Sequence, residues 1–135
     1  MQLVSTKIRL FDPMKSKVIG EKEVFEKFGV KPNQVIDVQS LAGDSSDNIP
    51  GVPGIGVKTA AELINKYKNL DTLLKKASEI KQNKRRETLI ANKDKALLSK
   101  QLVTLKDDVP IKNNLSEFLI KKINKDKLYN LSLIH

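Results

Sequence analysis

Gly51-Val52-Pro53-Gly54-Ile55-Gly56-Val57-Lys58-Thr59-Ala60 decides how the rest of the chain is read. Glycines at 54 and 56 permit positive φ and let a large partner reach the main chain with no Cβ in the way. Immediately downstream, Ala60, Leu63, Ile64 and Tyr67 recur at i, i+3, i+4 and i+7, which predicts an amphipathic helix over residues 59–67. Such a helix points its first unpaired N–H groups back at the glycine loop. Open donors and the positive end of the helix dipole together make an anion site. Ile55, flanked by two glycines, is expected to turn inward as an anchor. Lys58 adds a point charge, and Thr59 is expected to serve as N-cap and second donor. A turn between two helices would use glycine too. The length of the run, with an amphipathic helix and a basic stretch behind it, favours a helix–hairpin–helix that grips a phosphate backbone without reading bases. Gly51, Gly54, Ile55, Gly56, Val57, Lys58 and Thr59 are the contact residues this predicts.

Outward from that run, residues 42–58 break every periodicity and hold four of the six glycines and two of the five prolines. Ile and Val placed between the glycines favour a structured loop over a linker. Upstream, Pro32 suits the first turn of a helix through Val35, Ile36, Val38 and Leu41. A short helix is expected over Glu21–Phe28, with acidic residues first and Gly29 as its stop. Residues 3–19 suggest a β-hairpin: an alternating run Leu3–Leu10, a turn at Asp12-Pro13, and a return through Val18-Ile19. Downstream, helices are expected over Leu70–Lys76, Lys84–Asn92 and Lys93–Leu102. An extended segment over Thr104–Ile111 and helices over Ser116–Ile123 and Asp126–Leu133 complete the chain. The class is mainly α with a short N-terminal β-hairpin.

Composition limits the chemistry. The 135 residues and 15.2 kDa fit one domain, and 39% apolar residues supply one modest core of Leu, Ile and Val. With no Cys, disulfides, thiolate metal sites and cysteine nucleophiles are all excluded. His135, the only histidine, is the last residue and is expected to fray into solvent, which excludes histidine-based triads and most zinc chemistry. No apolar run approaches the ~18 residues of a membrane span, and no signal-peptide pattern opens the chain. An intracellular, soluble protein is expected.

Lys and Arg number 25 against 16 Asp and Glu, a net charge of +9. Coding bias in an A/T-rich genome would raise lysine without selection for binding. The distribution argues for more than bias: residues 58–100 hold 12 basic and 5 acidic groups, whereas 31–57 hold 1 and 3. A polyanionic partner follows. Single-strand binding without sequence preference relies on rings stacked on bases at ~1–3 kcal/mol each. Four Phe and two Tyr, expected mostly in the core, are too few for that platform, so duplex phosphates are the better target. Lys84 and Arg85, with Arg86, open a helix beyond the hairpin and would hold a second stretch of backbone.

Asp44 and Asp47 stand three residues apart in Gly43-Asp44-Ser45-Ser46-Asp47-Asn48. On a helical turn both carboxylates would share a face and converge on one cation. Mg²⁺ or Mn²⁺ takes one or two carboxylates with waters and phosphate oxygens. On spacing alone, capping of turns explains the pair better. Its place in the acidic part of a basic chain, just before a phosphate-gripping hairpin, favours a cation, since carboxylates beside a polyanion need one.

Residues 41–60, Leu-Ala-Gly-Asp-Ser-Ser-Asp-Asn-Ile-Pro-Gly-Val-Pro-Gly-Ile-Gly-Val-Lys-Thr-Ala, closely resemble the 5′–3′ exonuclease domain of bacterial DNA polymerase I, in the flap endonuclease family. Phe-Gly-Val-Lys-Pro-Asn-Gln-Val-Ile-Asp before that run and Leu-Ser-Lys-Gln-Leu-Val-Thr-Leu-Lys-Asp-Asp-Val-Pro after it extend the likeness over residues 3–111; beyond Leu115 it fades. The resemblance implies a SAM-like helix–hairpin–helix domain over residues 21–111. Before it stands a hairpin remnant of an α/β nuclease half at 1–20, and a C-terminal helical tail follows at 112–135. By the same resemblance Asp44 and Asp47 match the last two acidic metal ligands, and main-chain carbonyls of Val52 and Ile55 match ligands of a K⁺ that bridges to phosphate. The family's other acidic ligands precede this segment, while the first acid here is Asp12. The chain alone is therefore expected to be an incomplete nuclease: one half of a complementing pair, or the product of a split or decayed gene. The resemblance implies duplex or flap DNA, an N-terminal nuclease half or a polymerase domain as partners, Mg²⁺ or Mn²⁺ as cofactor, and a role in replication and repair in the bacterial cytoplasm. The alternative is a stand-alone, non-catalytic duplex-binding module; a helical interaction domain whose charge reflects genome bias is a third reading.

Overall fold

Asp12 reverses the chain at its first element. In the computed structural model, which describes residues 1–110, 114–120 and 122–133, β1 (Leu10–Asp12) pairs antiparallel with β2 (Lys17–Ile19), Leu10 opposite Ile19. The Asp12 carboxylate accepts the amides of Met14 and Lys15, closing the turn. The strand expected over Leu3–Leu10 shrinks to Leu10 and its successors. Ser5 and Ile8 exchange main-chain hydrogen bonds, and the Ser5 hydroxyl accepts the Lys7 and Ile8 amides. A serine that captures nearby amides offers the backbone a turn in place of a ladder.

Helix α1 (Glu21–Phe28) begins with Glu23 returning its carboxylate to the Gly20 amide and stops at Gly29 in the left-handed region, as expected. Pro32–Gln34 forms a 3-10 turn that runs straight into α2 (Val35–Ala42). After an irregular segment come α3 (Val57–Tyr67), α4 (Leu70–Lys75), a 3-10 turn at Ala77–Glu79, α5 (Asn83–Ala91) and α6 (Lys93–Val103). The Asn69 side chain caps α4 by accepting the Thr72 amide. Helix α2 packs across both α3 and α6. Val35, Val38 and Leu41 of α2, Ile64 of α3, Leu70 and Leu73 of α4 and Leu89 of α5 lose all contact with solvent. The α3 stripe Ala60, Leu63, Ile64 and Tyr67 is buried as its spacing predicts.

These elements form one compact unit, Met1–Leu105; Lys106–His135 forms a second. In the second unit the described part of the helix expected over Ser116–Ile123 is reduced to a 3-10 turn, Leu115–Phe118, and α7 (Lys125–Leu133) follows. Residues 104–110 adopt no regular structure, and Ile111 and His135 lie outside the described residues. No helix among the described residues is long and apolar enough to cross a membrane. The aromatics depart from expectation: Phe28 and Tyr67 are buried, but Phe11, Phe25, Phe118 and Tyr129 are exposed. Short elements bury one face only, which leaves such rings outside.

Candidate nucleic-acid interface

The loop between α2 and α3 is built in two halves. In the first, Asp44 and Ile49 exchange main-chain hydrogen bonds of 3.0 and 2.8 Å, closing a turn over residues 45–48. In the second, the Val52 amide reaches back to the Leu41 carbonyl at 2.7 Å, and the Ile55 amide donates to the Val52 carbonyl at 3.1 Å. Val52 and Ile55 plug into the core, so the anchor role expected of Ile55 is what the fold gives it. Pro53 and Gly54 are left exposed at the tip. Gly54 has φ +75°, a conformation that L side chains rarely adopt, and a Cβ there would meet nothing within 4 Å. At Gly56 too the backbone faces open space.

Helix α3 starts two residues earlier than the stripe suggested. Its N-cap is Gly56, not Thr59: Gly56 is extended (φ −85°, ψ 174°), and its carbonyl takes the first helical bond, from Ala60, at 2.9 Å. Glycine has no side chain to return, so the amides of Val57, Lys58 and Thr59 have neither helical acceptors nor a side-chain cap. Three donors at a positive helix end are therefore open, beside two glycines whose backbone nothing covers.

The first turn of α5 meets this tip. Pro53, Gly54, Ile55, Gln82, Lys84, Arg85 and Thr88 line one cleft of about 430 Å³. Lys84 and Arg85 open α5 as the sequence suggests, and the fold brings them across from the glycine hairpin in one cleft, with no aromatic ring in the lining. Gln82 and Thr88 were not foreseen; Thr88 lies four residues after Lys84, one helical turn, and that spacing was the available signal. Arg86 turns the other way: its guanidinium donates to the Ile80 carbonyl at 3.1 Å and to the Asn83 side chain at 2.9 Å. Arg85 lies 3.6 Å from Glu62; the arginine side chain is half-buried and the glutamate exposed, so the carboxylate can leave for water and free the guanidinium. Gly51 is not brought to the cleft. It is buried, donates its amide to the Ser99 hydroxyl at 3.0 Å, and packs its Cα against the backbone of Ala42 and Gly43.

Asp44 and Asp47 occupy the bridged turn rather than a helical one, so the shared helical face does not form. The Asp44 carboxylate accepts the hydroxyl and the amide of Ser46. Those two bonds, the hydroxyl first, hold its pKa below the ordinary aspartate value, with smaller help from the Asp47 amide and Lys27. Like any aspartate it is ionised at neutral pH; Asp44 is half-buried and Asp47 exposed. Asp44 also lines a cleft of about 470 Å³ with Lys27, Gln39, Gly43, Ser45 and Pro50. No group of three or more acidic or histidine side chains is placed to hold a metal among the described residues. Two oxygen donors on one turn suit part of a Mg²⁺ or Mn²⁺ shell, which draws the remainder from water and phosphate.

Comparison with known proteins bears on the family and the fold. The model of the family described as "5'-3' exonuclease, C-terminal SAM fold" matches residues 30–126. DNA polymerase I of Rhizobium leguminosarum is 53% identical over 128 residues, covering 95% of this chain and 13% of that protein. A 5'-3' exonuclease of Buchnera aphidicola subsp. Acyrthosiphon pisum (strain APS) is 40% identical, covering 90% of this chain and 45% of its own length. Flap endonuclease Xni of Shewanella pealeana is 42% identical over 123 residues, covering 90% and 47%. The chain thus spans less than half the length of each of these relatives. Among solved structures, the bacteriophage T5 5'-exonuclease with divalent zinc bound superposes with a TM-score of 0.69 at 24% identity, over 75% of this chain and 38% of that one. A T5 flap endonuclease complex with DNA and metal ions gives the same score and identity, over 76% and 38%. At that identity the likeness concerns the fold.

Proposed function

We infer the function from one premise: this chain belongs to the 5'-3' exonuclease family, whose C-terminal SAM fold it carries. On that premise it is the duplex-binding, partly metal-binding C-terminal portion of a structure-specific 5′–3′ exonuclease or flap endonuclease of DNA replication and repair, working in the bacterial cytoplasm. The observation that carries this reading is the cleft that joins the bare backbone of Gly54 to Lys84 and Arg85, next to the open amides of Val57, Lys58 and Thr59.

The residues divide the work by type. Open amides give short, directional, charge-assisted hydrogen bonds to a phosphate oxygen, and the helix dipole adds to their pull. Lys58 and Lys84 supply mobile point charges and Arg85 a planar fork, so neighbouring phosphates of one strand are held without base contacts. The carbonyls of Val52, which also accepts the Ile55 amide, and of Ile55 would be the main-chain ligands of a K⁺, which would supply positive charge at the hairpin tip. Asp44 and Asp47 would hold a divalent cation, Mg²⁺ or Mn²⁺, which supplies Lewis-acid activation of phosphate and water when bound. Ser46, through its amide and hydroxyl, fixes the orientation of the Asp44 carboxylate in the turn. Further carboxylates would be supplied by an N-terminal nuclease half, and a polymerase domain is the other partner that the relatives suggest.

A stand-alone binding module without chemistry is the second reading, favoured by the absence of a third acidic ligand among the described residues. Both readings require backbone contact. Binding of a labelled duplex measured against salt tests it. With ~4–6 phosphates neutralised, log K falls against log salt with a slope of about −4 to −5. A flat response contradicts backbone gripping.

A further inference from the structure

Ser99 lies in α6 with its side chain fully buried, and its hydroxyl oxygen accepts the Gly51 amide at 3.0 Å. Buried helical serines usually bond their own helix, as Ser40 does when it donates to the Ile36 carbonyl at 2.6 Å. Ser99 instead reaches across to a loop.

The loop residue it holds is the hinge between the two halves of the interface. Gly51 follows the Asp44–Ile49 turn and precedes the glycine tip. Its φ is +59°, and a Cβ there would lie 2.4 Å from the Gly43 nitrogen and 2.7 Å from the Ala42 carbonyl carbon. On one side this hinge touches the end of α2, reinforced by the Val52 amide on the Leu41 carbonyl. On the other side Ser99 is the polar partner that α6 offers. The next residue, Lys100, keeps α6 in place: its ammonium stands 2.7 Å from Asp71 of α4 and 3.6 Å from Asp37 of α2.

We propose that Ser99 is a positioning residue of the nucleic-acid interface, setting the hairpin at Gly54–Thr59 relative to the acidic turn at Asp44–Asp47. This rests on the duplex-binding reading above. Without the hydroxyl the Gly51 amide is buried and unsatisfied, and the hinge relieves that by moving.

Two variants separate positioning from general packing: Ser99→Ala and Ser40→Ala each remove one fully buried hydroxyl. In the unaltered protein without DNA, the Gly51 amide should exchange with deuterium as slowly as the Val38 amide of α2. In Ser99→Ala it should exchange faster, and the ¹H–¹⁵N signals of Gly54, Gly56 and Val57 should move; in Ser40→Ala all of these should stay. Duplex affinity should fall about tenfold in Ser99→Ala and hold in Ser40→Ala. Equal effects of the two variants on those signals and on affinity overturn the proposal. So does a Gly51 amide that exchanges at an exposed rate in the unaltered protein, a result that stands even if Ser99→Ala fails to fold. If the unaltered protein binds no duplex, the DNA reading fails, and the exchange comparison alone then decides the positioning role.

Discussion

Gly56 and Gly51 show how one residue type serves two ends within six positions. Gly56 has an extended backbone that any residue can adopt, with nothing near the place a Cβ would take. Replacing it by valine leaves the fold intact while covering the amides of α3 with branched bulk. Gly56→Val should therefore weaken duplex binding about tenfold or more while lowering the thermal midpoint only modestly, by the loss of a tolerated N-cap, read by fluorescence anisotropy and thermal melting. Lys125→Ala, in the second unit, should change neither. The glycine run predicts a contact role for Gly51 as well, because spacing cannot distinguish a glycine that faces a ligand from one pressed against its own backbone. Ile55 was legible, since an apolar residue between two glycines has only the core to enter. Ser99 was not, because its partner lies 48 residues away and nothing in Leu-Leu-Ser-Lys-Gln marks a serine as buried.

At the level of elements, local signals carried far. The α3 stripe, the Gly29 stop and the Pro32 start each depend on residues within one or two turns, and each appears. The strand over Leu3–Leu10 did not form because pairing needs a partner, and Ser5 supplied a nearer one. The seat of α6 against α2 and α4 was hidden as well, for it joins Asp37, Asp71 and Lys100 across 63 residues of sequence. Burial holds the Asp37 carboxyl above its ordinary range, against the opposing pull of Lys100 and the Leu70 amide, with Asp71 adding to the rise. The folded protein thus keeps that proton more tightly than the unfolded chain. The stabilisation from this group is complete below the unfolded value and is lost as pH rises through the folded one. Asp37→Asn has no such proton. Relative to the parent, its stability should improve as pH rises above about 4 and level off once Asp37 is ionised in the folded protein, measured by urea denaturation at several pH values. A difference that stays constant over that range contradicts the burial of Asp37.

For the whole molecule, the uneven charge proved more informative than its total. The basic surplus of residues 58–100 includes Lys58, Lys84 and Arg85 beside the hairpin, but it also includes Arg86 and Lys100, which serve the fold. Consecutive residues of a helix point about 100° apart, so a run such as Lys-Arg-Arg cannot all face one ligand. The acidic pair was legible as a cation-ligand candidate only through its surroundings, and the structure gives Asp44 the turn-capping bond with Ser46 as well. Two carboxylates fall short of a two-metal centre. With Mg²⁺ present, the purified chain should bind a 5′-flap substrate and leave it uncut in a gel assay. Robust cleavage that disappears in Asp44→Asn would show that the chain holds a complete site.

Backbone capture by the hairpin underlies all of this, and a ¹H–¹⁵N titration with a short duplex reads it atom by atom. The amides of Gly54, Gly56, Val57, Lys58 and Thr59, with those around Lys84 and Arg85, should shift first and furthest, and their shifts should vanish as salt is raised. Shifts spread evenly over the lysine-bearing surface, with those amides unmoved, would contradict the account.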